Sequence, residues 1–221
     1  MFEGKYSKAL TIGLVVLVLV VLGVLTYFIV DYVRTSNDNQ DLSDAADRFD
    51  GVVNKIEEKN TINDGDEVVS INIQAENIEI NTNSSNGTKT YKGFPVVGTI
   101  QIPKIDLNLP ILEDSNKDAI DVSVAVDVGP GLNKVGNTVI IGHNYRDGRF
   151  FSNLKNLANG DKIYITDETG TKVEYTVYNI YTTTPEDSDF MDRDTQGAIE
   201  ITLDTCTDDT QSRLIIWAKA D

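Results

Sequence analysis

The 221-residue chain holds one cysteine and one histidine, and each lies in a stretch suited to carrying a reactive group. Cys206 closes the run Thr202-Leu203-Asp204-Thr205-Cys206, and His143 follows the apolar pair Ile140-Ile141 in Gly142-His143-Asn144. A thiol attacks as its thiolate, so a cysteine nucleophile needs a neighbour that favours the charged form. The chain has a single imidazole to offer. Arg213 follows soon after Cys206 and opens Leu214-Ile215-Ile216-Trp217, an apolar run that reads as a strand. Cys, His and Arg form one candidate constellation for chemistry by a thiol nucleophile. A cysteine of ordinary pKa, about 8.5, is only a few per cent thiolate near neutrality, and nearby positive charge raises that fraction.

These three residues are placed by strands. Short apolar runs rich in β-branched and aromatic residues recur from Val96 onward: Val97–Pro103, Leu107–Leu112, Asn137–Ile141, Lys162–Ile165, Val173–Tyr181, Ile199–Leu203 and Arg213–Lys219. Short strands at this spacing, with tight connections at Gly160-Asp161 and Glu168-Thr169-Gly170-Thr171, predict a mainly β domain closed into a barrel, which also hides sheet edges. Helix is expected to be scarce there, apart from a short piece around Phe151 to Leu157.

Ahead of the barrel the chain changes character twice. From Leu10 to Val30 it is nearly all Leu, Val, Ile and Gly without charge, long enough at about 1.5 Å per residue to cross a hydrocarbon layer of about 30 Å. Tyr27, Phe28 and Tyr32 suit the headgroup interface, and no small-residue cleavage site follows, so an uncleaved anchor is expected. Lys5 and Lys8 precede the span, and Asp31, Asp38, Asp41, Asp44 and Asp47 follow it, which puts the N-terminus inside the cell and the rest outside. Leu42, Ala45, Phe49, Val52, Val53 and Ile56 then recur at helical spacing. Ser70 to Ala75 alternates like a strand, and Asn81 to Gly87 reads as a flexible polar linker.

Thirty-five acidic against 19 basic side chains give a formal charge of −16. Nucleic acid is excluded as a partner, because affinity for phosphate backbones comes from Lys and Arg clusters. A lone cysteine outside the cell forms no internal disulfide and is either reactive or buried and inert.

Thr-Leu-Asp-Thr-Cys at a strand end, an Arg on the next strand and Gly-His-Asn after an upstream apolar strand resemble the sortases, the membrane-anchored cysteine transpeptidases of Gram-positive cell surfaces. The resemblance covers roughly Val96 to Lys219 together with the anchor. It implies a closed eight-stranded barrel over residues 96–221, after a cytoplasmic 1–9, a span at 10–30 and an extracellular helix and polar linker at 31–95. It implies that Cys206 attacks a backbone carbonyl of a C-terminal sorting signal and forms a thioacyl-enzyme. His143 would then protonate the leaving amine and deprotonate the incoming one, a peptidoglycan precursor or another amine. Arg213 would hold substrate and oxyanion, for which a rigid, permanently charged fork is suited. Asn144 and Thr205 are expected to touch substrate.

The run from Gly142 to Phe151 and that from Arg213 to Lys219 look most like class B sortases, without the long helical insertion of that class between Tyr181 and Ile199. Ahead of the barrel there is none of the Asp-Pro-aromatic lid common in pilin-polymerising sortases. Some sortases bind calcium through acidic residues after the equivalent of Tyr181; Glu186, Asp187, Asp189, Asp192 and Asp194 stand there, but without a recognisable calcium-loop spacing, so we expect a solvated loop and no metal. A cysteine endopeptidase with water as acceptor, a pilin polymerase and an anchored binding module with an inert thiol are the competing readings.

Overall fold

The computed structural model describes the backbone of residues 3–60, 78–81 and 88–221. The alternating Ser70–Ala75 stretch and the polar run beyond Asn81 as far as Gly87 lie outside the described residues. The chain divides into two compact units, one up to Asp38 and one from Asn39 to Asp221.

Helix α1 runs from Glu3 to Asn60. No Gly or Pro stands between Val30 and Asp41 to break it, so the two helical stretches anticipated from sequence are continuous. In the first unit the apolar side chains from Ile12 to Val33 are exposed. This part is long and apolar enough to cross a membrane.

In the second unit α1 buries Leu42, Ala45, Ala46, Phe49 and Val53, and most of these join the main core. Of the predicted stripe, Leu42, Ala45, Phe49 and Val53 form the packed face and Val52 lies at its margin, whereas the side chain of Ile56 lies outside the described residues. Polar bonds fix the register of the packing. Asp50 accepts from the hydroxyls of Thr99 at 2.7 Å and Thr166 at 3.3 Å, and Asp47 accepts from Asn108 at 2.8 Å. Burial raises the Asp50 carboxyl above its ordinary range, against the pull of the Thr99 bond and of Lys172.

Strands β1 (Ile78–Asn81) and β2 (Thr88–Tyr91) form a hairpin leading into the barrel. The barrel strands are β3 (Phe94–Ile102), β4 (Leu107–Leu112), β5 (Val124–Val128), β6 (Gly136–Ile141), β7 (Lys162–Asp167), β8 (Lys172–Thr183), β9 (Ile199–Cys206) and β10 (Arg213–Ala220). They pair in the order β3-β4-β5-β6-β9-β10-β8-β7, and β7 returns to β3, so the eight-stranded sheet closes on itself. Closure leaves no free edge among these strands. Two pairings are parallel, β4–β5 and β6–β9. The short helix α2 (Lys117–Ile120), with Asn116 accepting from the Ala119 amide at its N-terminus, lies between β4 and β5, and a 3₁₀ turn spans Leu154–Asn156.

The parallel β6–β9 pair governs the site. Ile141 is level with Asp204, and both chains continue in the same direction, so His143 and Cys206 leave adjacent strands at the same height. On the other side of β9, antiparallel pairing sets Arg213 directly opposite Cys206.

Candidate active site

The turn carrying His143 is tied to the strand carrying Cys206. The Gly142 amide donates to the Asp204 carbonyl at 3.2 Å, and the Thr205 hydroxyl donates to the Gly142 carbonyl at 2.7 Å. Gly142 is required by packing: a Cβ there would meet Val124 Cγ1 at 2.7 Å and Phe151 Cδ2 at 2.9 Å. Thr205, expected to contact substrate, is 1% exposed and its hydroxyl is committed to this internal bond. Its place is inside the barrel wall, because alternate residues of a strand face opposite sides and Cys206 takes the outer one.

Nε2 of His143 stands 3.1 Å from Oδ1 of Asp121. An ionised carboxylate only accepts, so Nε2 is the protonated nitrogen. The Tyr145 hydroxyl donates to the same oxygen at 3.2 Å, and its ring packs at 5.2 Å from the imidazole. Burial and the neighbouring Asp121 raise the Tyr145 phenol, which keeps it a donor. The Arg149 guanidinium lies 4.5 Å from the centre of the Tyr145 ring. Neither Asp121 nor Tyr145 was anticipated as a functional residue. Asp121 closes α2, 22 positions before His143, and nothing local in the sequence announces the pairing.

Arg213 places Nη1 at 4.0 Å from Cys206 Sγ, while Nε donates to Asp204 Oδ1 at 2.8 Å and Nη2 to Asp204 Oδ2. The Asp204 side chain is fully buried and that of Arg213 is 23% exposed. Burial pushes the Asp204 carboxyl up, with Arg213 pulling it back, and the Asp204 bonds push Arg213 higher still. Asp204 was visible in the sequence as one letter of a motif and Arg213 as a candidate; their pairing was not.

Asn144 bridges the loops around the thiol. Its Nδ2 donates to the Cys206 carbonyl at 2.9 Å and to Asp208 Oδ1 at 3.0 Å. Lys155 binds the other Asp208 oxygen at 2.6 Å, and these two partners hold that carboxyl below its ordinary range. Between the loops lies a groove of about 330 Å³ lined by Cys206, Asn144, Phe151, Thr182, Asp209 and Leu214, among others.

The loop after β8 is anchored from beneath. Phe190 is buried against Val139 and Ile215, and Arg193 stacks 4.0 Å over Trp217 while pairing with Glu200 at 2.9 Å. In the acidic part of that loop, Asp187 accepts from the Asp189 amide and the Thr183 hydroxyl, and Asp194 accepts from the Gln196 amide. Among the described residues no group of three or more His, Cys, Asp or Glu side chains converges as a metal site.

Comparison with known proteins places this geometry. Residues 100–221 match the Sortase domain family model. The chain is 34% identical to sortase A of Bacillus anthracis over 125 residues, covering 55% of this chain and 58% of that protein. It is 30% identical to sortase A of Streptococcus agalactiae over 141 residues, covering 61% and 56%. The match thus spans less than two thirds of these relatives' length. Among solved structures, sortase A from Corynebacterium diphtheriae superposes with a TM-score of 0.53 at 30% identity, covering 58% of this chain and 61% of that one. The Clostridium perfringens sortase D5 transpeptidase gives 0.53 at 29%, covering 57% and 79%. What these relatives share is the family; their names carry two sortase classes, A and D.

Proposed function

This chain belongs to the sortase family, and from that premise we propose that it is a membrane-anchored cysteine transpeptidase acting on surface proteins that carry a C-terminal sorting signal. The observation that carries the reading is the direct opposition of Cys206 and Arg213 across β9 and β10, with Nη1 4.0 Å from Sγ.

Cys206 gives its proton to Nδ1 of His143 and attacks the scissile carbonyl as the thiolate, forming the C–S bond and an oxyanion. Arg213 supplies a fixed, charged donor where that negative charge develops, the kind of preorganised stabilisation that contributes most when water is excluded. His143 gives a proton to the departing amine as the C–N bond breaks, which leaves a thioester. An acceptor amine then attacks, His143 removes its proton, and the thiolate leaves as the new amide forms. Asp121 fixes the imidazole with Nε2 protonated, so Nδ1 is the nitrogen that exchanges the proton with substrate.

The acceptor is a cell-wall amine. Support comes from the groove beside Cys206, where Asp208 is paired with Lys155 and Asp209 sets a further carboxylate that favours approach of an ammonium group. The apolar part of α1 serves as a single-pass span, with Lys5 and Lys8 on the cytoplasmic side and the barrel outside.

Product analysis with and without an added amine tests the reading. The full chain in detergent micelles, given peptides bearing sorting-type pentapeptides, should yield a ligated product when amine is present. Hydrolysis alone, unaffected by amine, would make it an endopeptidase; a thiol that labels only after denaturation would make it a binding module.

A further inference from the structure

Arg213 presents only part of its guanidinium to the thiol, and Asp204 is the reason. Side chains two apart on a strand share a face, so Asp204 and Cys206 project to the same side of β9. In the antiparallel register Cys206 faces Arg213 and Asp204 faces Ile215, which makes Asp204 and Arg213 diagonal neighbours, a separation long side chains span readily. The carboxylate takes Nε and Nη2 as a fork, and the nitrogen left over is the one aimed at sulfur.

Two physical consequences follow. A guanidinium on a flexible stem loses rotamer entropy when it must find a developing oxyanion; one clamped on two nitrogens has lost it before substrate arrives. Charge balance changes as well. A carboxylate bonded to the guanidinium cancels most of its field at the nearby thiol, so what remains is a directed N–H rather than a diffuse positive potential. Breaking such a buried pair by removing one partner leaves the other charge uncompensated.

We propose that Asp204 is the positioning residue of this site: its buried carboxylate holds the Nε–Nη2 edge of Arg213 so that Nη1 alone is presented to Cys206, and it neutralises the guanidinium in the resting enzyme. The inference rests on the reading of Cys206 as the nucleophile, and its principal test does not require that reading to hold. Cys206 is the only thiol in the chain, so its alkylation can be followed in the full chain in detergent without any peptide substrate. Rates are measured with iodoacetate, an anion, and with iodoacetamide, its neutral counterpart. Asp204→Asn unmasks the guanidinium, and the iodoacetate-to-iodoacetamide ratio should rise about threefold to tenfold. An unchanged ratio in the folded variant overturns the proposal.

A second arm uses transfer kinetics. Asp204→Asn should lower kcat about tenfold to a hundredfold, whereas in an Arg213→Ala background the same change should have less than a threefold effect, because it acts only through the arginine. Equal effects in both backgrounds would give Asp204 a merely structural role. Should Asp204→Asn fail to fold, nitrogen-15 spectra of the unsubstituted protein supply the readout: the Arg213 Nε–H, assigned by its loss in Arg213→Lys, is protected from solvent exchange, and exchange as fast as that of exposed arginines overturns the clamp. If no peptide acylates the enzyme while the alkylation ratio shifts, the transpeptidase reading fails and the clamp stands.

Discussion

The hydroxyl of Thr205 donates to the carbonyl of Gly142 over 2.7 Å inside the barrel wall, one of the bonds that couple the strand ends carrying Cys206 and His143. Thr205→Val keeps the shape of the side chain and removes the donor. The loss should cost about 1–3 kcal/mol, the range for leaving a buried acceptor unpaired. Thermal unfolding should fall by several degrees, and transfer activity should fall more than the residual folded fraction explains. Melting curves and kinetics on the same preparation check both.

Gly142→Ala should be harmful for a different reason. The added Cβ would enter the space of Val124 and Phe151, and overpacking of a tight core costs about 1–3 kcal/mol. Because Phe151 also donates its amide to the His143 carbonyl at 3.1 Å, the displaced ring should move the histidine turn. We expect kcat to fall with little change in KM, measured against the melting temperature.

Asp121→Ala removes the acceptor that orients His143. The pair is solvent-exposed, with side-chain exposures of 36% and 48%, so its contribution to stability is small, about 0–1 kcal/mol. The effect on chemistry should be larger: about tenfold in kcat, with Tyr145→Phe giving a smaller loss, since a group that aligns a general base acts on the turnover step. Steady-state transfer assays of both variants test this ordering.

The fold was legible wherever the signal was local. Seven of the barrel strands follow from apolar runs, and the helix packing face follows from its spacing. Strand β5 was missed, although Val122, Val124, Val126 and Val128 alternate with Ser123, Ala125 and Asp127; small and acidic residues between the valines made the stretch look like a connection. Pairing was not legible. That β9 inserts between β6 and β10, with β6 parallel to it, depends on long-range register that no short pattern encodes. The same limit applies to the site: Cys206, His143 and Arg213 stand out by type, whereas Asp121 and Asp204 are ordinary acidic residues in an acidic chain until the fold sets each beside its partner.

Asp50 gives the helix packing a pH dependence with a definite sign. Its folded pKa is raised by burial, so the folded state binds the proton more tightly than the unfolded one. The stabilisation this group contributes is complete below the ordinary value of 3.8 and is lost as pH rises through the raised folded value. Asp50→Asn should therefore be at least as stable as the parent at neutral pH, with the advantage shrinking on acidification through the carboxylate range. Paired melting curves across that range measure it; an advantage that grows toward acid would contradict the burial account.

The central claim concerns Cys206 itself, and the intact mass of the protein tests it most directly. Mixed with sorting-signal peptides without acceptor, the full chain should gain the mass of the acyl fragment as a thioester that hydroxylamine removes, and Cys206→Ala should gain nothing. An adduct that persists in Cys206→Ala would place the nucleophile elsewhere and contradict the mechanism.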